Sequence, residues 1–359
     1  MILDVGGILE KIASLQSGGE KYFPPGLFPA YRTNSMLGYR RPDTNLFFSV
    51  ISVFTLQTIS RHFKDPKLVD LVGRIKGKVT ANFPDFRNKD GLKTYNFWRT
   101  RPADHFPNGF LLRHFDHFRI PDDADDTAMV YLAGSPSREE LLWLKDKLAS
   151  HANGMKRRVR NTYPEYSELS AYSTWFGKNM YIEFDACVLS NVLYCLYHYK
   201  LPFNQHDQDS LMYIRSVIES GRYKSEPFRC AHQYPRTPLI IYHVARLIAA
   251  YNPLMLKKIK PELIEACLML LEKEIHPMDR ILLSTSLLRF GIKPAAIDIG
   301  KYTTRDFKNF WFFIAGMLTG VERRWLYKAA RSRFFHMHWE CEAHCWTLLA
   351  EYAVLRDIN

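Results

Sequence analysis

Two kinds of helix alternate along most of this chain, and the alternation limits the folds that it can adopt. Segments of the first kind are apolar on almost every side, at residues 45–59, 126–133, 184–197, 238–250, 280–290 and 341–355. Segments of the second kind carry an apolar stripe at 3-4 spacing, as at Leu141, Leu144 and Leu148, and again around Trp325 and Ala329. Helices that are apolar all round must be buried, and amphipathic helices cover them. The pattern predicts an all-α fold, a single six-hairpin α/α toroid with an inner and an outer ring of helices.

The regions outside this alternation define the domain organisation. Residues 1–42 contain a short amphipathic helix at about 2–15 and then an arm rich in Gly, Pro and aromatic residues. We expect the arm to be irregular and to pack on the toroid domain, residues 43–359. Residues 88–120 and a predicted helix near 307–318 do not match the repeat. They are interpreted as an insertion that covers the mouth of the toroid and as an additional element.

Composition suggests the compartment and the kind of partner. The 359 residues carry a formal net charge of +12, and the six cysteines are dispersed. No apolar run is long enough to span a membrane, and Met1-Ile2-Leu3-Asp4 does not resemble the start of a signal peptide. The sequence predicts a cytoplasmic protein without disulfides, with contact to a membrane surface left open. The positive charge indicates an anionic partner, and no nucleic-acid-binding motif is present.

The densest cluster of acidic residues is Asp122, Asp123, Asp125 and Asp126, directly after Pro121 and before an apolar run. Proline and carboxylates both favour the first turn of a helix. Carboxylates this close together raise one another's pKa unless a cation balances them. The cluster is therefore a proton donor, a cation site or a helix cap.

Other polar residues occur where the apolar helices begin, and we expect those helix ends to meet on one face. They are Arg41, Asp43, Glu183, Asp185, Arg236, Thr237, Asp279, Arg280, Glu340 and Glu342. Asp and Thr are good N-caps, whereas an arginine opposes the helix dipole. We therefore predict that Arg41, Arg236 or Arg280 holds an anionic head group if the substrate carries one, and that Glu183 or Asp185 reaches the cavity. His232 and Tyr234 could hydrogen-bond a catalytic acid.

Asp123-Ala124-Asp125-Asp126-Thr127-Ala128 resembles the acid motif of class II terpene cyclases, the squalene-hopene cyclase group, which are also α/α toroids. The resemblance implies an enzyme that cyclises an isoprenoid or similar lipid-like substrate, started by a proton from Asp125. Asp123 and Asp126 would orient that acid, with Asp122 and Thr127 beside it. Aromatic residues such as Trp339 would line a dry cavity that stabilises a carbocation. No cofactor is expected, except Mg²⁺ if the substrate is a diphosphate.

Several alternatives remain open for the same residues. Asp122, Asp123 and Asp126 also satisfy the Asp-Asp-x-x-Asp motif with which class I isoprenoid enzymes hold magnesium. Cys341 and His344 could contribute to a zinc site such as that of protein prenyltransferases. Glu183, Asp185, Glu340 and Glu342 could act with the acidic cluster as the paired carboxylates of a carbohydrate-active enzyme. A toroid that binds a lipid or a protein partner without catalysis is the last alternative.

Overall fold

The computed structural model describes residues 4–316 and 324–358, and it is about 54% helical. Met1, Ile2 and Leu3, the predicted start of the first helix, lie outside the described residues. Within the described ranges the α-helices are α1 Val5–Ser14, α2 Phe47–Ser60, α3 Pro66–Thr80, α4 Phe83–Phe86, α5 Ala124–Ala133, α6 Arg138–Ser150, α7 Ala186–His198, α8 Gln205–Glu219, α9 Arg222–Ser225, α10 Pro227–Cys230, α11 Thr237–Tyr251, α12 Lys260–Leu271, α13 Pro277–Arg289, α14 Arg324–Ala330 and α15 Glu342–Ile358.

Six of these helices are buried along most of their length: α2, α5, α7, α11, α13 and α15. They are the six segments that the sequence marks as apolar all round. Along the chain, each of them contacts the next, and α15 contacts α2 again. Some of their polar side chains bond within the helix, as where Thr55 donates to the Ile51 carbonyl, and others bond to distant segments, as where Ser49 accepts from the Phe28 amide.

Amphipathic helices cover this buried set. Helix α3 packs on α2, α8 packs on α7, and α12 packs on α11 and α13. The predicted starts are confirmed, because Ser137 and Glu140 form a capping box on α6 and Pro66 and Pro261 lie in the first turns of α3 and α12. Helix α1 contacts α15 and α3, so the N-terminal helix covers the last buried helix. In the described ranges, no helix has the length and apolar character needed to cross a bilayer.

A four-stranded antiparallel sheet was not predicted. Its strands are β1 Tyr31–Asn34, β2 Tyr39–Pro42, β3 Phe313–Gly316 and β4 His336–Glu340, in the order β2-β1-β4-β3. Tyr31 pairs with Glu340, and Phe313 pairs with Trp339. The prediction that the arm is irregular was therefore wrong for residues 31–42. The predicted all-α class is confirmed only in its coarser form, because the fold is mostly helical with a small sheet. The strands have only four or five residues, and β1 and β4 pair across about 300 positions, so this pairing leaves no local periodicity to detect.

Two predictions between α13 and α15 were also wrong. Residues 307–316 form turns and strand β3 instead of a helix, because this segment pairs with β4, and residues 317 and 318 lie outside the described ranges. The stretch around Trp325 and Ala329 forms only the short helix α14, on which Trp325 is 63% exposed. The described residues between α13 and α15 therefore contain no long amphipathic helix.

Candidate active site

The acidic cluster lies at the start of helix α5, as the sequence indicates. Asp123 is the N-cap residue, and its carboxylate accepts a hydrogen bond of 2.8 Å from the Asp126 amide. The Ala124 amide donates to the Thr174 carbonyl at 2.8 Å, which ties the first turn to the chain before α7. Pro121 precedes the cap by two residues, so the helix begins at the aspartate and not at the proline.

A cavity of about 270 Å³ opens beside this helix start. Asp123, Asp125 and Asp126 contribute its carboxyl groups, all from the first turn of α5 and its cap. Nearly half of its lining residues are aromatic: Phe47, Phe97, Trp98, Phe106, Phe118, Trp175, Tyr181, Tyr234, Phe313 and Trp339. Phe97, Trp98, Phe106 and Phe118 come from the 88–120 insertion, which therefore forms part of the wall. The cavity is small, acidic on one side and aromatic on the others.

Asp125 is held by two hydrogen-bond donors, one on helix α7 and one in the segment before helix α11. The Asn191 side-chain amide donates to Oδ1 at 2.6 Å, and the Tyr234 hydroxyl donates to Oδ2 at 2.5 Å. Arg246 donates in turn to the Asn191 carbonyl oxygen, which fixes the orientation of that amide. Burial raises the pKa of Asp125, while the hydrogen bonds from Tyr234 and Asn191 and the charge of Arg246 oppose that rise.

Asp123 and Asp126 form a second unit, and a hydrogen bond joins their carboxyl side chains. Burial, together with the Asp125 carboxylate, raises the pKa of Asp123 to about 8. Burial and the neighbouring carboxylates also raise the pKa of Asp126 well above its usual value. The hydrogen bond favours the charged form of Asp123 and the protonated form of Asp126. The two groups therefore share one proton over a wide pH range.

Asp122 and Thr127 are fixed by backbone and side-chain contacts outside the cavity lining. The Asp122 carboxylate accepts hydrogen bonds from Asn88 and Thr94, both at 2.5 Å. The Thr127 hydroxyl oxygen accepts a hydrogen bond of 3.0 Å from the Tyr95 amide. Both residues anchor the insertion to helix α5, and neither lines the cavity.

Glu183 and Asp185 are fully buried, yet neither lines the cavity. Asp185 caps helix α7 by accepting from the Cys187 amide at 2.8 Å, and it also accepts from the Gln233 amide at 2.8 Å. Burial raises the pKa of Asp185 to about 8. Glu183 accepts a hydrogen bond of 2.8 Å from the Gln233 side chain. The expectation that one of them reaches the cavity is not met, because both carboxylates fasten the segment before α11.

The three arginines proposed for a head group are elsewhere in the protein. Arg236 donates to both carboxylate oxygens of Asp279, at 2.7 and 2.9 Å. Arg280 donates to the carbonyl groups of Leu271 and Lys273, where it caps the end of α12. Arg41 lies 4.0 Å above the Phe110 ring. Among the described lining residues the only cationic side chain is Arg119, which the sequence analysis did not select.

Trp339 and Tyr234 match their predictions more closely. Trp339 is almost fully buried, lines the cavity and stacks on Phe313 with ring centroids 5.6 Å apart. Tyr234 hydrogen-bonds Asp125, as anticipated, whereas His232 instead lies 2.8 Å from the Tyr327 hydroxyl. Asn191 and Arg246 were missed, although a polar residue in the middle of an apolar helix is a recognisable signal.

The metal-binding alternatives rest on residues that have other partners. Asp122, needed for an Asp-Asp-x-x-Asp site, accepts hydrogen bonds from Asn88 and Thr94. His344 Nδ1 lies 3.0 Å from the Ser52 hydroxyl. Within residues 4–316 and 324–358, no three or more His, Cys, Asp or Glu side chains are grouped so that they could hold a metal ion.

Comparison with known proteins identified no relative of this chain. The chain matches no protein-family model, no curated protein and no solved structure.

Proposed function

We propose that this protein is an isoprenoid cyclase of the class II type, in which Asp125 donates the proton that starts the reaction. We also infer that the six buried helices form the inner ring of a single α/α toroid, since their contacts run from α2 to α15 and back to α2. The observation that carries the proposal is the cavity itself, because it joins three buried carboxyl groups to a wall that is largely aromatic.

Protonating an alkene requires a neutral carboxylic acid that is shielded from water, because water would otherwise take the proton in place of the alkene. Asp125 is 6% exposed, and burial raises its pKa. The carbocation that forms needs polarisable, non-nucleophilic surroundings, and aromatic faces supply them. Phe47, Trp98, Phe313 and Trp339 are buried and line the cavity around the acid.

Asp125 suits the role of donor better than Asp126. A general acid works best when its pKa lies near the working pH. Asp126 is held in its protonated form by the carboxylates beside it, so it gives up its proton reluctantly. Asp125 has Tyr234, Asn191 and Arg246 to stabilise the carboxylate that remains after proton transfer. The proton shared by Asp123 and Asp126 leaves their two carboxyl groups with one negative charge in place of two.

The reaction conserves atoms. A proton moves from the Asp125 carboxyl group to one alkene carbon, and the resulting cation is attacked by the π electrons of a second alkene, forming a ring bond. Loss of a proton from the final cation gives a cyclic isomer of the substrate. The volume of about 270 Å³ favours a compact substrate, since ligand pockets usually span about 300–1,000 Å³. If the substrate carries an anionic head, Arg119 is the cation beside it.

The paired-carboxylate alternative is less well supported. Glycoside hydrolases place two carboxyl groups on opposite sides of the scissile bond. Here every carboxyl group among the described lining residues belongs to the start of α5. Glu340 lies outside the cavity, where it accepts a hydrogen bond of 3.2 Å from Thr33.

The test compares Asp125→Asn with the unmodified protein on linear monoterpene, sesquiterpene and diterpene precursors, as alcohols and as diphosphates, with EDTA present. We expect cyclic isomers from the unmodified protein and a loss of turnover of about a hundred- to ten-thousandfold in the variant. Circular dichroism and thermal unfolding would establish that the variant is folded.

Glu340→Gln is the control, because it replaces a partly buried carboxylate outside the acid cavity and glutamine can still accept the hydrogen bond from Thr33. It should retain turnover within a few-fold. Undiminished cyclisation by Asp125→Asn would refute the assignment. Strict dependence on magnesium with release of diphosphate would instead support the class I mechanism.

A further inference from the structure

A second and larger cavity, of about 1160 Å³, lies on the other face of strand β4. Successive side chains of a strand point to opposite faces of a sheet. Trp339 accordingly lines the acid cavity, while its neighbours His338 and Glu340 line the second one. Strand β1 contributes Tyr31 and Thr33 to the second cavity. The sheet that the sequence did not predict therefore provides a wall for two separate binding spaces.

Four cationic side chains, which we call the rim, border this cavity: Arg40, Arg305, Lys308 and Arg333. All four residues are exposed, and no ion pair to any of them occurs in the part of the chain that the structure describes. The two carboxylates of the lining already have partners. Glu340 accepts from Thr33, and Glu342 accepts from the Trp346 indole at 3.1 Å and lies 3.5 Å from Lys11. Arg40 stacks on the Tyr31 ring at 3.5 Å, and its charge opposes the rise that burial causes in the pKa of Glu340. Positive charge is thus in excess, and Arg305, Lys308 and Arg333 supply its available part.

Apolar side chains and one unusual histidine form the floor. Phe307 and Phe310 are buried, and His338 stacks on Trp311 with ring centroids 4.7 Å apart and planes 3° apart. His338 is 7% exposed, and its Nε2 atom has no hydrogen-bond partner within the described ranges. Burial and nearby positive charge lower the pKa of His338 to about 4, so the imidazole is neutral at physiological pH. A buried polar atom without a hydrogen bond costs free energy, and a ligand that hydrogen-bonds to Nε2 would remove that cost.

An apolar surface continues from the cavity toward solvent. Met36 and Leu37 are 63% and 51% exposed, and Phe334 is 44% exposed. The Asn34 side chain holds the two turns together, since its amide donates to the Phe334 carbonyl at 3.0 Å. Exposed apolar side chains beside a basic rim suit a ligand that has both an anionic end and a hydrocarbon chain.

We propose that this cavity binds an anionic amphiphile, with its phosphate or carboxylate on the rim and its chain against Phe307, Phe310 and Trp311. The volume of the cavity far exceeds that of an inorganic anion. The floor is mostly apolar, so it provides few hydrogen bonds to a bare anion. His338 Nε2 supplies the polar contact inside the cavity. The proposal does not depend on the chemistry of Asp125, because the two cavities lie on different faces of β4.

The experiment measures binding of monododecyl phosphate, below its micellar concentration, to the full chain by isothermal titration calorimetry. Dodecanol and inorganic phosphate are titrated separately. We expect the alkyl phosphate to bind at least tenfold more tightly than either of them. Arg305→Gln with Lys308→Gln, and separately Arg333→Gln, should each weaken binding at least threefold and should flatten its dependence on salt. Lys257→Gln with Lys258→Gln is the matched control, because both lysines are exposed and lie outside the cavity.

Three outcomes would overturn the proposal. Equal binding by the rim and control variants would show that the alkyl phosphate adsorbs without using the rim. Phosphate that binds as tightly as its alkyl ester would show that the cavity takes a bare anion. Binding only to vesicles containing phosphatidylserine, and not to the monomeric alkyl phosphate, would show that this face meets a membrane surface and not a single amphiphile. Unfolding midpoints of all variants would verify that each one is folded.

Discussion

Two sites with buried carboxylates lie on either side of the aromatic wall, and they differ in what neutralises them. Asp43, just before helix α2, forms a fully buried ion pair with Arg32 and accepts from the Trp98 indole at 3.2 Å. The three carboxyl groups at the start of α5 are equally buried, but protons and neutral donors compensate most of their charge.

The comparison shows how the same residue type acquires different chemistry. Arg32 lies over the Phe106 ring at 4.9 Å, and Phe106 lines the acid cavity. The guanidinium thus stands one aromatic layer behind the cavity and is already paired with Asp43. A cation in direct contact with Asp125 would lower its pKa and remove the proton that we propose it donates. Aspartate paired with arginine is structural here, and aspartate without a cation in contact can act as an acid.

Removing the cation from the first site should have the largest effect on stability. Arg32→Met leaves Asp43 buried without its partner, and we expect a loss of about 3–5 kcal/mol in the free energy of unfolding. Denaturant titration measures this loss. Adding Asp43→Asn to the same variant should restore much of it, because no unpaired charge then remains. A loss below about 1 kcal/mol in the single variant would mean that Asp43 does not rely on Arg32.

The second prediction concerns pH. The folded state keeps a proton on the Asp123 and Asp126 pair that the unfolded chain releases above about pH 4. The stabilisation from this proton is complete below that pH, and it is lost at about 1.4 kcal/mol per pH unit as the pH rises toward 8. Asp126→Asn removes the contribution of Asp126 to this dependence, so the stability of the unmodified protein should fall relative to the variant as the pH rises.

Denaturant unfolding at several pH values between about 5 and 8 would test it. Glu168→Gln is the control, because it removes a carboxylate that is exposed, paired with Arg158 and outside the acid cavity. A constant difference for Asp126→Asn would show that the pair holds no proton.

The smallest expected effect on stability comes from Tyr234→Phe, which deletes one donor to Asp125. The stability loss should be about 1 kcal/mol. The hydrogen bond from Tyr234 lowers the pKa of Asp125, so its removal raises that pKa. The alkaline limb of the pH profile of cyclisation should therefore move to higher pH. Tyr172→Phe, which loses a contact to Asp207 outside the cavity, should leave the profile unchanged. An unshifted limb in Tyr234→Phe would argue against Asp125 as the titrating acid.

The helical part of the fold could be predicted from the sequence because burial leaves a local signal. The six apolar segments agree with the buried helices to within about three residues at most ends, as for α7, predicted at 184–197 and observed at Ala186–His198. The sheet could not be predicted in this way. Its strands are short, and β1 pairs with β4 across about 300 residues, so neighbouring residues carry no sign of the pairing.

The acidic site shows the same division. The sequence alone determined that four carboxylates crowd at a helix start, since Asp123 is a good N-cap and an apolar run follows it. Only the tertiary structure decided their roles. Asn88 and Thr94 hold Asp122 outside the cavity, and Asp126 shares a proton with Asp123. Asn191 on α7 and Tyr234 before α11 reach Asp125 from positions far along the chain. The physical reason is that a pKa depends on burial and on neighbours brought together by folding, which adjacent residues do not encode.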